Sequence, residues 1–257
     1  MKTIWAIILW LGIAADPAAA QTIKVQPSSS NAAGTNRFEN SLGMKFAGVP
    51  GAKVLFSIWE TRVRDYQAFA EAAGRAVSKP DFDQTAADPV VNVTWEDAMA
   101  FCNWLTARER KAGRLTDKQR YRLPTDQEWS LAVGLAPETG RTPEDRMKGL
   151  VIWPWGYAWP PQPGDGNYTP ELGVDKFANT SPAGSFKPNR FGLFDLGGNV
   201  WEMCDDWYNE ARVTKAFRGG SFHDGQPKDL LAACRFSGTV HLSNDDLGFR
   251  AVLETKE

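Results

Sequence analysis

The chain has 257 residues, 42% of them hydrophobic, enough to bury a substantial core in one large domain or two small ones. Its 29 Lys and Arg nearly balance its 31 Asp and Glu, for a net charge of −2, and no basic run is present. This balance excludes a phosphate-tracking surface and makes nucleic acid a poor partner.

At the start of the chain, Lys2 precedes an apolar run from Ile4 to Ala15, and Ala18-Ala19-Ala20 places a small-x-small pattern before Gln21. The run is shorter than the roughly 20 residues that a bilayer span needs. Residues 1–20 are therefore expected to be a secretory signal peptide, the alternative being an uncleaved N-terminal anchor. On either reading the folded part is exported, periplasmic or extracellular, and no membrane span follows the signal. Small and polar residues dominate from Gln21 to about Arg37, so residues 21–39 are expected to form a flexible linker ahead of a domain over 40–257. No internal repeat is visible.

Three helices are predicted. Thr61 is placed to cap the first, with Val63, Tyr66, Phe69, Ala70 and Ala73 on one face and Gly74 as the stop. Thr94-Trp95-Glu96-Asp97 resembles a capping box for the second, whose apolar stripe is Ala98, Phe101, Cys102 and Leu105 and whose end is Gly113. Thr125-Asp126-Gln127-Glu128 is a stronger capping box, followed by Trp129, Ala132, Val133 and then Gly134.

After Gly134 the helical period disappears. Turn formers separate short apolar pieces such as Phe191-Gly192-Leu193-Phe194 and Gly248-Phe249-Arg250-Ala251-Val252, which predicts short strands and long structured loops. The fold class expected is α+β. The 11 Trp and 14 Phe, beside 23 Gly and 16 Pro, suit a domain in which large rings fill space between irregular segments. Long loops need such tethers, or metals or disulfides.

Seven segments then form a pattern: Asn40-Ser41-Leu42-Gly43-Met44-Lys45-Phe46, Ile58-Trp59-Glu60-Thr61-Arg62-Val63, Pro89 to Trp95, Arg122 to Trp129, Gly197-Gly198-Asn199-Val200-Trp201-Glu202, Arg218-Gly219-Gly220-Ser221-Phe222 and Leu247-Gly248-Phe249-Arg250. In that order and spacing, over roughly residues 40–253, the chain resembles the formylglycine-generating enzyme (sulfatase-modifying factor) family. The resemblance implies that family's variant of the C-type lectin fold, a small twisted sheet with about three helices and extensive loops.

The resemblance also implies two structural calcium ions. The first maps to the side chains of Asn167 and Asp175 and the carbonyls of Tyr168 and Phe177. The second maps to the side chains of Asp195 and Glu202 and the carbonyls of Gly198 and Val200. Calcium takes six to eight hard oxygens, which irregular loops supply readily. Without an ion, Asp195 and Glu202 would be turn and capping residues.

The family's catalytic cysteine pair, which binds copper and oxidises a substrate cysteine, does not carry over. Ser221-Phe222 leads into His223-Asp224-Gly225-Gln226-Pro227, and Asp224 stands where the first cysteine would be. Soft Cu(I) has no thiolate pair there, which argues against copper. Trp201 and Ser221, implied by the resemblance to line the pocket, are present. His223, Asp224 and His241 offer the composition of a two-histidine, one-carboxylate iron site, against the plainer reading of a solvated loop. Cys102 is expected to be a buried inert thiol; the family position that can pair with it is Ala251 here. Cys204 and Cys234, the latter expected in a core strand, are left either as a disulfide or as two small hydrophobes. Arg235 and Arg250 are expected to be buried arginines paired with carboxylates.

Two functions follow as expectations. The first is a calcium-stabilised module that binds a ligand, peptide, glycan or exported protein without catalysis. The alternative is a periplasmic oxidoreductase using cysteine-independent chemistry, iron-dependent or siderophore-maturing as in other relatives. Formylglycine generation itself survives only if the copper–thiol mechanism is dispensable.

Overall fold

The computed structural model describes residues 37–146 and 151–255; the expected signal peptide and most of the expected linker lie outside the described residues. The architecture is α+β, with two sheets where one was expected and a fourth, short helix. Strands β1 (Arg37–Glu39), β2 (Lys45–Gly48), β3 (Val54–Ser57), β4 (Gln119–Arg122) and β9 (Val252–Thr255) form an antiparallel sheet in the order β1-β2-β3-β9-β4. Strands β5 (Trp201–Trp207), β6 (Lys215–Arg218), β7 (Phe236–Gly238) and β8 (Leu247–Gly248) form the second, in the order β7-β6-β5-β8, with β8 parallel to β5.

One boundary is corrected. Arg37–Glu39, expected within the linker, pairs with Lys45–Ala47 as β1, because Asn40 closes a tight turn by accepting the Leu42 and Met44 amides. Three residues, too few to show a period, are enough to pair in this hairpin.

Helices α1 (Val63–Ala73), α2 (Trp95–Lys111) and α3 (Asp126–Val133) lie where the apolar periods predict, and α4 (Pro143–Arg146) is a single turn. Both capping boxes form as expected. Thr94 and Asp97 exchange bonds of 3.1 Å, and Thr125 and Glu128 exchange bonds of 3.2 and 2.8 Å. The α1 cap is corrected from Thr61 to Arg62. The Thr61 backbone is used in bridging bonds to Phe249 and Val90, and Asp65 turns back to the Arg62 amide and guanidinium.

The larger core lies between α1, α2 and the first sheet, where Phe46, Tyr66, Phe69, Phe101, Tyr121 and Phe249 pack ring on ring. A second core under α3 gathers Phe56, Trp129, Leu193, Leu196 and Val252. Phe191–Phe194 is a loop rather than a strand. Phe249-Arg250-Ala251 carries the chain from β8 in one sheet to β9 in the other. Among the described residues no helix is long and apolar enough to cross a membrane.

Candidate functional site

Two regions gather the residues singled out above. The first is a nest of loops ahead of β5. Asn199 is its hub, with a left-handed φ of +61°. Its amide oxygen accepts the Ser181 amide (2.9 Å) and the Asn167 side-chain nitrogen (3.1 Å), and its own nitrogen donates to Glu60 (2.7 Å). Because the Asn167 nitrogen faces two acceptors, Asn199 and the Asn179 carbonyl, its Oδ1 points the other way, buried and without a partner among the described residues. Asp175 folds over the same loop, accepting the Phe177 amide (2.8 Å) and the Tyr168 amide (3.1 Å). The four residues of the first expected calcium set are thus drawn into one loop.

The second expected set is only partly free. Asp195 accepts the Gly184 amide on Oδ2, while its Oδ1 is buried with no partner among the described residues. Glu202 is held on both oxygens: Arg250 donates at 2.6 and 2.8 Å and Trp129 Nε1 at 2.9 Å. A carboxylate has about four acceptor positions, so these three bonds do not exhaust its acceptor capacity. Gly198 has a φ of +81°, and a Cβ there would fall 2.3 Å from the Asn167 carbonyl oxygen, so only glycine brings the two loops this close.

Three carboxylates, Glu60, Asp195 and Glu202, are buried here beside one guanidinium, Arg250. Desolvation raises the Glu60 carboxyl well above its ordinary value, the Asp195 and Glu202 charges add to it, and Arg250 opposes them. Burial likewise lifts the Asp195 carboxyl to about 6. Among the described residues no group of three His, Cys, Asp or Glu side chains converges to hold a metal. An ion here would rest mainly on amide and carbonyl oxygens, a donor set that suits calcium and fits the two orphaned buried oxygens.

The second region is a cleft of about 340 Å3 at the edge of the second sheet. It is lined by the apolar residues Trp201, Phe217, Phe236, Leu242 and Leu247 together with Asp224, Asp229, Asn244 and Asp246. Ser221 is buried beneath it, with Oγ 2.9 Å from Asp224 Oδ2 and 3.0 Å from Asp246 Oδ2 while accepting the His223 amide. The hydroxyl thus stands within donor reach of both carboxyl groups. Burial raises both Asp224 and Asp246, and the charge of an acidic neighbour adds to each, Asp246 for Asp224 and Asp245 for Asp246.

Of the pocket residues expected from sequence, Trp201, Ser221 and Asp224 come together. The histidines do not join them: both side chains are exposed, His223 3.6 Å from Asp245 and His241 3.3 Å from Glu96. All three cysteines are free thiols. Cys234 precedes β7 rather than lying in a strand. Desolvation and the Asp229 charge push its thiol up to about 11, and burial raises Cys102 and Cys204 as well. Arg235 and Arg250 are buried and carboxylate-paired, as expected.

Sequence reasoning missed Glu60, Asn199, Asp229, Phe236 and Asp246 as site residues. Glu60, Asn199 and Asp246 lie in or beside the recognisable segments, and that proximity was the available signal.

The sulfatase-modifying factor enzyme 1-like domain model matches residues 32–255. The formylglycine-generating enzyme of Thermomonospora curvata is 30% identical over 196 residues, covering 65% of this chain and 55% of that protein. The inactive C-alpha-formylglycine-generating enzyme 2 of Mus musculus is 33% identical over 172 residues, covering 63% and 48%. The chain thus spans about half the length of these relatives. The structure of PvdO from Pseudomonas aeruginosa superposes with a TM-score of 0.62 over 86% of this chain and 98% of that one, at 19% identity, a likeness of fold. By the domain match and by its fold, the chain belongs to the sulfatase-modifying factor enzyme 1-like family, that of the formylglycine-generating enzymes.

Proposed function

We propose that the protein is an exported, calcium-stabilised binding module in which the family's pocket survives without its copper chemistry. The observation that carries this reading is Asp224. It stands at the position of the first catalytic cysteine and is tied to Ser221 by a backbone bond of 2.8 Å and a hydroxyl contact of 2.9 Å. The thiol that feels the cleft's charges, Cys234, is held protonated by burial and by Asp229. Cu(I) seeks paired thiolates, and these residues do not fit it. A relative designated inactive shows that members of the family persist without the activity.

Calcium, when bound, would supply charge balance: the Asn167 and Asp195 orphan oxygens would gain a cation, and the two loops would be pinned beneath the cleft. Asn199 orients these loops, and Arg250 fixes Glu202 in place by bonding both of its oxygens. Export rests on the sequence of residues 1–20. The ligand, whether peptide, glycan or exported protein, would enter the cleft between Trp201 and Asp246.

Elemental analysis of the mature protein, purified from the periplasm without chelators, tests the reading together with oxygen uptake in the presence of cysteine peptides. About two calcium per chain and no uptake are expected. Stoichiometric iron or copper, or substrate-dependent uptake, would favour the oxidoreductase alternative and overturn the proposal.

A further inference from the structure

The cleft has a composition that narrows the ligand. Three of the side chains that line it, Asp224, Asp229 and Asp246, are carboxylates, and among the described residues its lining holds no Lys, Arg or His. The Lys228 ammonium, 3.4 Å from Asp229 Oδ1 at the rim, offsets one of the three, which leaves Asp224 and Asp246 as the acidic pair. A concave surface of one sign concentrates counter-ions of the other. The same lining carries the aromatic rings of Trp201, Phe217 and Phe236. Phe236 is 54% exposed, although it sits on a strand beside the core, and its ring lies 5.7 Å from that of Trp201. A large exposed ring beside a carboxylate-lined hollow is not explained by packing.

A metal ion does not suit this arrangement. Asp224 and Asp246 are committed to Ser221, and among the described residues no three acidic, thiol or imidazole groups converge. An organic cation suits both kinds of lining, because its charge pairs with carboxylates while its aliphatic or planar body lies on ring faces. We infer that this cleft binds an organic cation, a protonated amine or guanidinium such as a lysine or arginine side chain presented by a peptide. The inference deepens the binding-module reading and rests on it. Trp201 and Phe236 supply the aromatic rings, Asp246 and Asp224 provide the charge, and Leu242 adds apolar surface.

The test is titration of the full mature protein with Gly-Lys-Gly, Gly-Arg-Gly, putrescine, and Gly-Lys-Gly acetylated on the lysine side chain, followed by tryptophan fluorescence and amide chemical shifts. The charged probes should bind about tenfold or more tightly than the acetylated one, which keeps the length and loses the charge. D246N and F236A should each weaken the charged probe about fivefold or more, with shifts confined to the cleft, while H241A leaves binding unchanged. Putrescine binding as tightly as the peptides would identify a small amine as the source; peptide preference would identify a presented side chain. Equal binding of the acetylated peptide, no binding by wild type, or indifference to D246N and F236A would overturn the inference. So would calcium displacing the charged probe from the same residues. Comparing charged and acetylated probes on wild type keeps the test decisive should a variant fail to fold. Oxygen uptake with substrate would instead overturn the underlying reading; its absence, with no preference for charge, would overturn this inference alone.

Discussion

Asp126 is the residue on which the most charge converges. Arg218, Arg146 and Arg235 bond its two oxygens at 2.5 to 3.0 Å, Arg235 also pairs with Glu138, and the Asp206 carboxylate accepts the Asp126 amide. Burial alone would raise the Asp126 carboxyl; Arg218, then Arg235 and Arg146, outweigh it and hold the group far below the usual carboxylate range. Removing the carboxylate leaves three buried guanidinium groups facing Glu138 as their one remaining bonded carboxylate among the described residues, with the Ser130 hydroxyl and backbone carbonyls as neutral acceptors. Asp126→Asn is therefore expected to cost about 3–5 kcal/mol in chemical denaturation at pH 7. Because the folded value is depressed, the contribution is complete above the unfolded value near 3.8 and is lost as pH falls below it towards the folded one. The stability gap between wild type and variant should be flat from pH 7 to about 5 and close only in stronger acid. A gap that narrows already between pH 7 and 6 would assign the effect to another group.

At the scale of the element, helix starts are a local matter. The Thr125 hydroxyl caps α3, and Glu128 returns the bond while Arg122 holds its carboxylate at 2.7 Å on both oxygens. Thr125→Ala removes one half of the box and leaves Glu128 anchored, so a loss of about 1 kcal/mol is expected by urea denaturation, with the denaturant slope unchanged. A loss above about 3 kcal/mol would mean that the cap also supports the Asp126 network. Such boxes were legible in sequence because donor and acceptor lie three residues apart. Thr61 misled for the converse reason: its backbone is claimed by Phe249 and Val90, far along the chain. The same division separates the sites. Asp175 and its loop could be placed by resemblance, whereas the pairing of Glu60 with Asn199 spans 139 residues. Nor does the meeting of Asp224 with Asp246 across Ser221 show any spacing signal. His223 and His241 had suitable chemistry for a common site, but their loops send the side chains to different carboxylates.

At the scale of the molecule, the two sheets share little backbone, and Arg250 binds them. It sits in the three-residue passage between β8 and β9, fully buried. It donates to the Ser57 carbonyl at the end of β3, to the Phe194 carbonyl in the loop beneath, and to Glu202 on β5. The side chain therefore touches both sheets and the nest of loops that would carry calcium, while supplying the one positive charge among Glu60, Asp195 and Glu202. Arg250→Met preserves length and apolar volume but leaves that acidic group uncompensated, so a loss of about 3–5 kcal/mol is expected. Both sheets should lose it together: near-ultraviolet circular dichroism and tryptophan fluorescence should report one coincident unfolding transition at a lower midpoint. Two separated transitions would show that the sheets unfold independently and that Arg250 stabilises only one of them. If calcium occupies the loops, millimolar calcium should raise the midpoint of Arg250→Met more than that of wild type, because the ion then replaces a missing charge as well as filling its own site. An equal rise in both proteins would place the ion away from the Glu60, Asp195 and Glu202 group and leave the first loop, around Asn167 and Asp175, to account for it.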